Sequence, residues 1–214
     1  MRTGIAVSLL AVSVGGCATS APPPAPVLSY AKADCHAQPD LASAVNLTPE
    51  KKKKAWQAVG TVGGTTPCLN RAGVNTPYVV FALPATGVAR MVELGAVEEA
   101  GRLFSPNVTL LDAAGAVTRE FAPDQYMFRP GVLSVQFTPR EGERFMLVTA
   151  DPSRVGTSYD AIRTGTATTP VVAYTPGLGV ISSNYRSGHE AQVSLAYSYE
   201  GTIRASLVAP DDAK

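Results

Sequence analysis

From Tyr78 to Val208 the chain breaks into short runs rich in Val, Tyr, Phe and Thr, each bounded by turn-forming residues. This spacing restricts it to an all-β architecture. The runs fall at Tyr78–Leu83, Val88–Leu94, Asn107–Leu111, Gln125–Phe128, Leu133–Phe137, Arg144–Thr149, Val171–Tyr174, Gln192–Tyr199 and Thr202–Val208. Alternation is cleanest at the end, where Val193, Leu195, Tyr197 and Tyr199 share one strand face and Ile203, Ala205 and Leu207 share the next. Glu200 and Gly201 lie between these runs, which predicts a terminal β-hairpin. Asp112 to Gly115 and Arg140 to Gly142 predict two further tight turns. Between Asp151 and Thr169 the composition turns to Ser, Thr, Gly and Asp without periodicity, which predicts a long loop. The expected fold is an antiparallel β-sandwich, jelly-roll-like, over residues 78–210.

The N-terminus reads as an export signal. Arg2 supplies a positive charge, and the apolar run Ile5 to Val14 is too short to span a bilayer, which takes about 20 residues. Val14, Gly15 and Gly16 then precede Cys17, an arrangement that resembles the lipobox read by lipoprotein signal peptidase. Residues 1–16 are therefore expected to be removed and Cys17 to carry the lipid, with several acyl chains giving firm attachment. Ala18 in place of an acidic residue resembles outer-membrane sorting. The small residues and prolines of the stretch 17–28 cannot bury apolar area and predict an extended spacer that lifts the domain off the lipid.

Lipidation of Cys17 leaves Cys35 and Cys68, an even pair in an exported chain, for which a disulfide is expected. The competing arrangement is a metal site from Cys35, His36, Cys68 and His189, but no CxxC pair supports it. Segment 29–77 holds one helix signal: Thr48 as N-cap, Pro49 at the first position, Glu50 in the first turn, then Lys51 to Lys54, Ala55 and Trp56. Gly60, Gly63 and Gly64 end it, and Trp56 is expected to pin it to the domain. The four lysines read as the solvated face of this helix, with anionic lipid or polysaccharide as the less ordinary use. Without Arg2, the 18 basic residues fall to 17, equal to the 17 acidic ones. A neutral mature chain argues against nucleic acid as a partner.

Several segments resemble a known family. They are Phe81, Ala82, Leu83 and Pro84 before an alternating strand; Phe104, Ser105, Pro106, Asn107, Val108, Thr109, Leu110, Leu111 and Asp112; Phe121 through Phe128; and Phe137, Thr138 and Pro139 before Arg144 to Thr149. Together they are similar to the MalM family of periplasmic maltose-operon proteins over roughly residues 78–150. The resemblance implies a periplasmic, carbohydrate-linked setting rather than a reaction. After about Asp160 the chain departs: enteric members carry a longer Pro/Ala-rich and helical extension, so functions of that extension are not expected here.

The same residues have plain structural readings. Pro106 and Asn107 make a strand entry, Asp112 begins a turn, and Phe104, Phe121 and Phe128 are expected in the core. Among tyrosines that can stack on a pyranose face, Tyr126, Tyr174 and Tyr185 are the candidate carbohydrate-binding residues, with Tyr197 and Tyr199 beside them. No Gly-x-Ser-x-Gly elbow, His-Glu-x-x-His pair or phosphate-cradling loop occurs, and neither a catalytic residue nor a cofactor is expected. Ser187, Gly188, His189 and Glu190 lie too close in sequence to make a triad and read as a polar loop. Two function classes follow: a lipid-anchored outer-membrane accessory of maltodextrin uptake that binds oligosaccharide weakly, or a structural module docking onto envelope proteins.

Overall fold

The computed structural model describes residues 22, 24–48, 55–85, 89, 91–99, 101–175 and 179–208; for residues 163–168, 170–175, 179–186, 189 and 191 it describes the backbone alone. The fold is all-β, with strands grouped into three sheets. In the first, β1 (Val45–Asn46), β4 (Val74–Ala82), β11 (Phe145–Ala150), β7 (Pro106–Leu111) and β8 (Val117–Glu120) lie side by side, and β3 (Cys68–Arg71) also pairs with β4. The second runs β2 (Ala55–Val62), β14 (Gly201–Val208), β5 (Met91–Val97), β10 (Val132–Phe137) and β9 (Met127–Arg129). The third joins β12 (Ser158–Thr175), β13 (Gly179–Ser198) and β6 (Arg102–Phe104). Among the described residues, no helix is long and apolar enough to cross a membrane.

The first two sheets share one core and form a sandwich-like body. Phe81, Val108, Leu110, Met146 and Val148 from one meet Val92, Leu94, Leu133, Val135, Ile203 and Leu207 from the other. β14 alternates strictly between buried and half-buried residues because only one of its faces is covered. β11 is buried almost throughout because the first sheet is covered twice. On its outer face Leu69, Tyr78, Val80, Leu111 and Leu147 pack beneath Leu41 and Ala44 of the N-terminal segment. The Cys35–Cys68 disulfide fastens that segment to β3, and His36 bridges beside it, donating to the Cys68 carbonyl at 2.9 Å.

Both expected tight turns are present. The Asp112 carboxylate accepts the N–H groups of Ala114 and Ala116, and Glu143 closes back on Arg140. Four expectations are corrected. Ala55 and Trp56 do not continue a helix but open β2, where Trp56, Ala58 and Val62 face the core at alternate positions; residues 49–54 lie outside the described set. The boundary expected between residues 77 and 78 is crossed by β4, and the strands of segment 29–77 enter both large sheets.

The third correction concerns the C-terminus. β13 and β14 occupy the expected places yet do not pair with each other. The chain instead leaves the third sheet after Ser198 and enters the second between β2 and β5. A Cβ at Gly201 would lie 3.0 Å from Phe104 Cβ, so a larger residue there would push on Phe104 at the crossing. The fourth is the expected loop at 151–169: only its first residues turn, and from Ser158 it becomes β12. Its ladder with β13 runs unbroken from Ser158 opposite Ala196 to Thr175 opposite Gly179. Ser187 to Glu190, read as a loop, likewise lie within β13.

Candidate functional site

The base of the β12–β13 hairpin is where aromatic and charged side chains converge. Asp151 follows directly on β11, and its carboxylate accepts the N–H and hydroxyl of Ser153 and so tightens the following turn. That turn aims Arg154 back into the body. Its Nε pairs with Asp151 Oδ2 at 2.8 Å, and its Nη2 donates to the Pro106 carbonyl. The guanidinium lies between two rings, 5.3 Å from the centroid of Tyr126 and 5.1 Å from that of Tyr197. Tyr197 meets Tyr159 edge-on at 6.3 Å, and Tyr159 stacks on Phe128 at 5.5 Å. The aromatic series therefore joins β13, β12 and β9 around one cation.

Tyr126 is a member of this clasp and not a free platform. It is 8% exposed, and its hydroxyl accepts the Val108 N–H at 2.9 Å. Burial pushes its pKa up to about 12, opposed by that hydrogen bond and by the nearby Arg154 charge. Burial likewise raises Tyr197. In the unfolded chain Tyr126 ionises near pH 10, whereas in the folded chain it stays neutral to about 12. Its contribution is thus fully present below pH 10 and is lost as pH rises toward 12, amounting to about 2–3 kcal/mol. Denaturant unfolding followed from pH 8 to 12 is expected to show this fall. Tyr126→Phe, although less stable at neutral pH through the orphaned Val108 N–H, is expected to lose less over the same window. An equal loss in both proteins would place the alkaline sensitivity elsewhere.

Of the other candidate residues, Tyr174 and Tyr185 occupy β12 and β13 near the far end of the hairpin, in register with Val180 and Thr169 respectively. Their side chains and Cys17 lie outside what is described. Tyr199 stacks against Tyr30 of the N-terminal segment, ring centroids 5.9 Å apart. The metal alternative does not form, because Cys35 and Cys68 are joined to each other. Among the described residues no group of three or more His, Cys, Asp or Glu is placed to hold an ion.

Two features escaped the sequence reading. The spacer docks: the Ala25 carbonyl accepts from Arg102, the Val27 N–H donates to Ser198 Oγ, and the Val27 carbonyl accepts the Tyr199 N–H. Its inner half therefore belongs to the domain and lies at the hairpin base. Nothing in a run of Ala and Pro signals this, since the contacts are made by backbone atoms. The second is an open groove of about 370 Å³ where Trp56 and Gln57 of β2 meet Ser206, Leu207 and Val208 of β14. The alternation of Ala55 to Val62 is the signal that would have placed Trp56 there. Comparison with known proteins found no matching family model, no matching curated protein and no matching solved structure.

Proposed function

We propose that this chain is a lipid-anchored, non-catalytic structural module of the bacterial envelope, held at the outer membrane through Cys17 and presenting the β12–β13 hairpin to a partner. The docking of Ala25 and Val27 beside Arg102 and Ser198 carries this reading, because it ties the tether directly to the hairpin base. The Arg154 clasp supports it: Tyr126 and Tyr197 are buried against the guanidinium, and Tyr197 meets Tyr159, which fixes the hairpin on the body. Cys17→Ser is expected to lose labelled palmitate and to move from the membrane to the soluble periplasmic fraction. Palmitate incorporation unchanged by the substitution would remove the tether.

The Trp56 groove favours a second reading, weak capture of maltodextrin, in line with the MalM resemblance. Half-buried Trp56 lines the groove together with Gln57 and Ser206, a set that combines an aromatic ring with hydrogen-bonding groups for a sugar. One stacked ring and a few rim contacts support no better than about high-micromolar affinity. Titration calorimetry of residues 18–214 with millimolar maltoheptaose separates the two. Absence of heat leaves the structural reading alone, whereas heat abolished by Trp56→Ala establishes the groove.

A further inference from the structure

The hairpin itself suggests what it touches. Each strand contributes 18 residues to the ladder, a reach of about 60 Å at roughly 3.3 Å per residue. At its base the strands are bound into the body, with Ala161, Leu195 and Tyr197 in the core and Ala196–Ser198 paired to β6. Beyond Ala196 no strand other than its partner pairs with either strand among the described residues. The charged residues of the hairpin, Asp160, Arg163, Arg186 and Glu190, fall in its lower and middle parts. From Thr164 through Tyr185 the sequence carries none. The five terminal pairs, Val171–Ser183 to Thr175–Gly179, contain Val171, Val172, Ala173, Tyr174, Val180 and Ile181.

The tether sets the distance. Seven residues, Ala18 to Pro24, separate Cys17 from docked Ala25, so an extended leader spans about 25 Å at roughly 3.1 Å per residue. The docked end lies at the hairpin base, and the hairpin is longer than the tether. Its far end is therefore able to reach the bilayer that holds Cys17. The open edges limit how deep it goes. The N–H and C=O groups of β12 and outer β13 that meet no third strand among the described residues cannot enter hydrocarbon, where no water is available to them. They can lie among headgroups, at the depth of about 5–10 Å typical of interfacial segments.

We infer that the uncharged end of the β12–β13 hairpin, Val171–Thr175 with Gly179–Ser183, is a lipid-binding element that dips into the interface of the anchoring membrane without crossing it. This deepens the proposed function and rests on its tether. The test places a single tryptophan at the end, Tyr174→Trp in a Trp56→Phe background, in the full mature chain mixed with phosphatidylethanolamine and phosphatidylglycerol vesicles carrying brominated acyl chains. Val117→Trp, on exposed β8, is the control in the same background. The end tryptophan is expected to shift to shorter wavelength and lose emission to bromine while the control does neither. Adding Val172→Asp and Ile181→Asp is expected to restore the emission. Palmitate labelling and vesicle flotation report on the anchor separately. Acylated protein that floats with an unquenched end overturns the hairpin inference and leaves the anchor standing; quenching in unacylated protein does the reverse. Loss of both signals overturns both. A blue-shifted end tryptophan already present without vesicles, in protein sedimenting as a dimer, would mean that the hairpin pairs with a second copy, and would also overturn the inference.

Discussion

Replacing Cys35 and Cys68 together by serine is expected to lower the free energy of unfolding by about 4 kcal/mol, the chain-entropy value for a loop of this size. The two residues are 33 positions apart, and the loop they close includes β1 and β2, which belong to different sheets. The bond also holds a cover in place. Leu41 and Ala44 lie over Leu69, Tyr78, Val80, Leu111 and Leu147, and the Asp40 N–H donates to the Tyr78 hydroxyl at 2.9 Å. When the bond is gone, these contacts, the His36 bridge, the Lys32 bonds to Thr66 and Asn75 and the Tyr30–Tyr199 ring contact still hold the segment from 29 to 44, but without a covalent tie. Denaturant unfolding of oxidised, reduced and doubly substituted protein measures the loss. Added reductant is expected to move the oxidised protein to the curve of the substituted one. Coincident curves for oxidised and substituted protein would show that packing alone secures the cover.

Where the sequence pattern was local, it placed the strands well. Asn107–Leu111, Leu133–Phe137, Arg144–Thr149 and Thr202–Val208 lie within one or two residues of β7, β10, β11 and β14. In β14 one covered face imposes an apolar period, and in β7, β10 and β11 near-continuous burial imposes an apolar run; both can be read without knowing the partner strand. Of β12 only Val171–Tyr174 was legible, and Ser158–Thr169 was not, for the converse reason. Among the described residues that stretch pairs only with β13, with no third strand to set its period, so its Ser, Thr and Gly read as a loop. The β-propensity of its threonines was the remaining clue. At β2 the signals competed: Thr48, Pro49 and Glu50 read as a helix start, while Trp56, Ala58 and Val62 keep a strand period. The strand prevails at Ala55 because β14 supplies a long partner in continuous register.

The clasp was legible in part. Tyr126 and Tyr197 were marked as aromatic residues of interest, but Arg154 and Asp151, which organise them, lay in the stretch read as loop. A guanidinium between two rings leaves no trace in local sequence, because its partners come from positions well apart in the chain. The exchange of β13 for β14 fails for a related reason. Glu200 and Gly201 suit a hairpin turn equally well whether the next strand returns or departs, and only long-range pairing decides. β14 has both edges taken, by β2 and β5, so no edge remains for β13.

Phe104→Ala tests that junction and is expected to cost about 3–5 kcal/mol, the range for removing a fully buried aromatic ring. Phe104 is 0% exposed. It ends β6, pairs in parallel with Ser198 at the end of β13, and is the residue against which Gly201 passes as β14 begins. Phe104 therefore sits where the third sheet hands the chain to the second, with its side chain in the core. The neighbouring backbone is locked by Ser105, which donates its N–H to the Ser198 carbonyl at 3.0 Å, while Asp151 donates to Ser105 at 2.8 Å. With these bonds intact the walls cannot close on the vacancy, so a cavity term adds to the lost transfer energy. The void also adjoins the contacts that dock Val27 on Ser198. Hydrogen exchange in the variant is thus expected to quicken first at Val27, Ser105 and Tyr199, ahead of the amides of β7 and β11. Thermal unfolding gives the total cost. Protection lost evenly across both large sheets would show that Phe104 contributes only bulk burial and that the sheet crossing is held elsewhere.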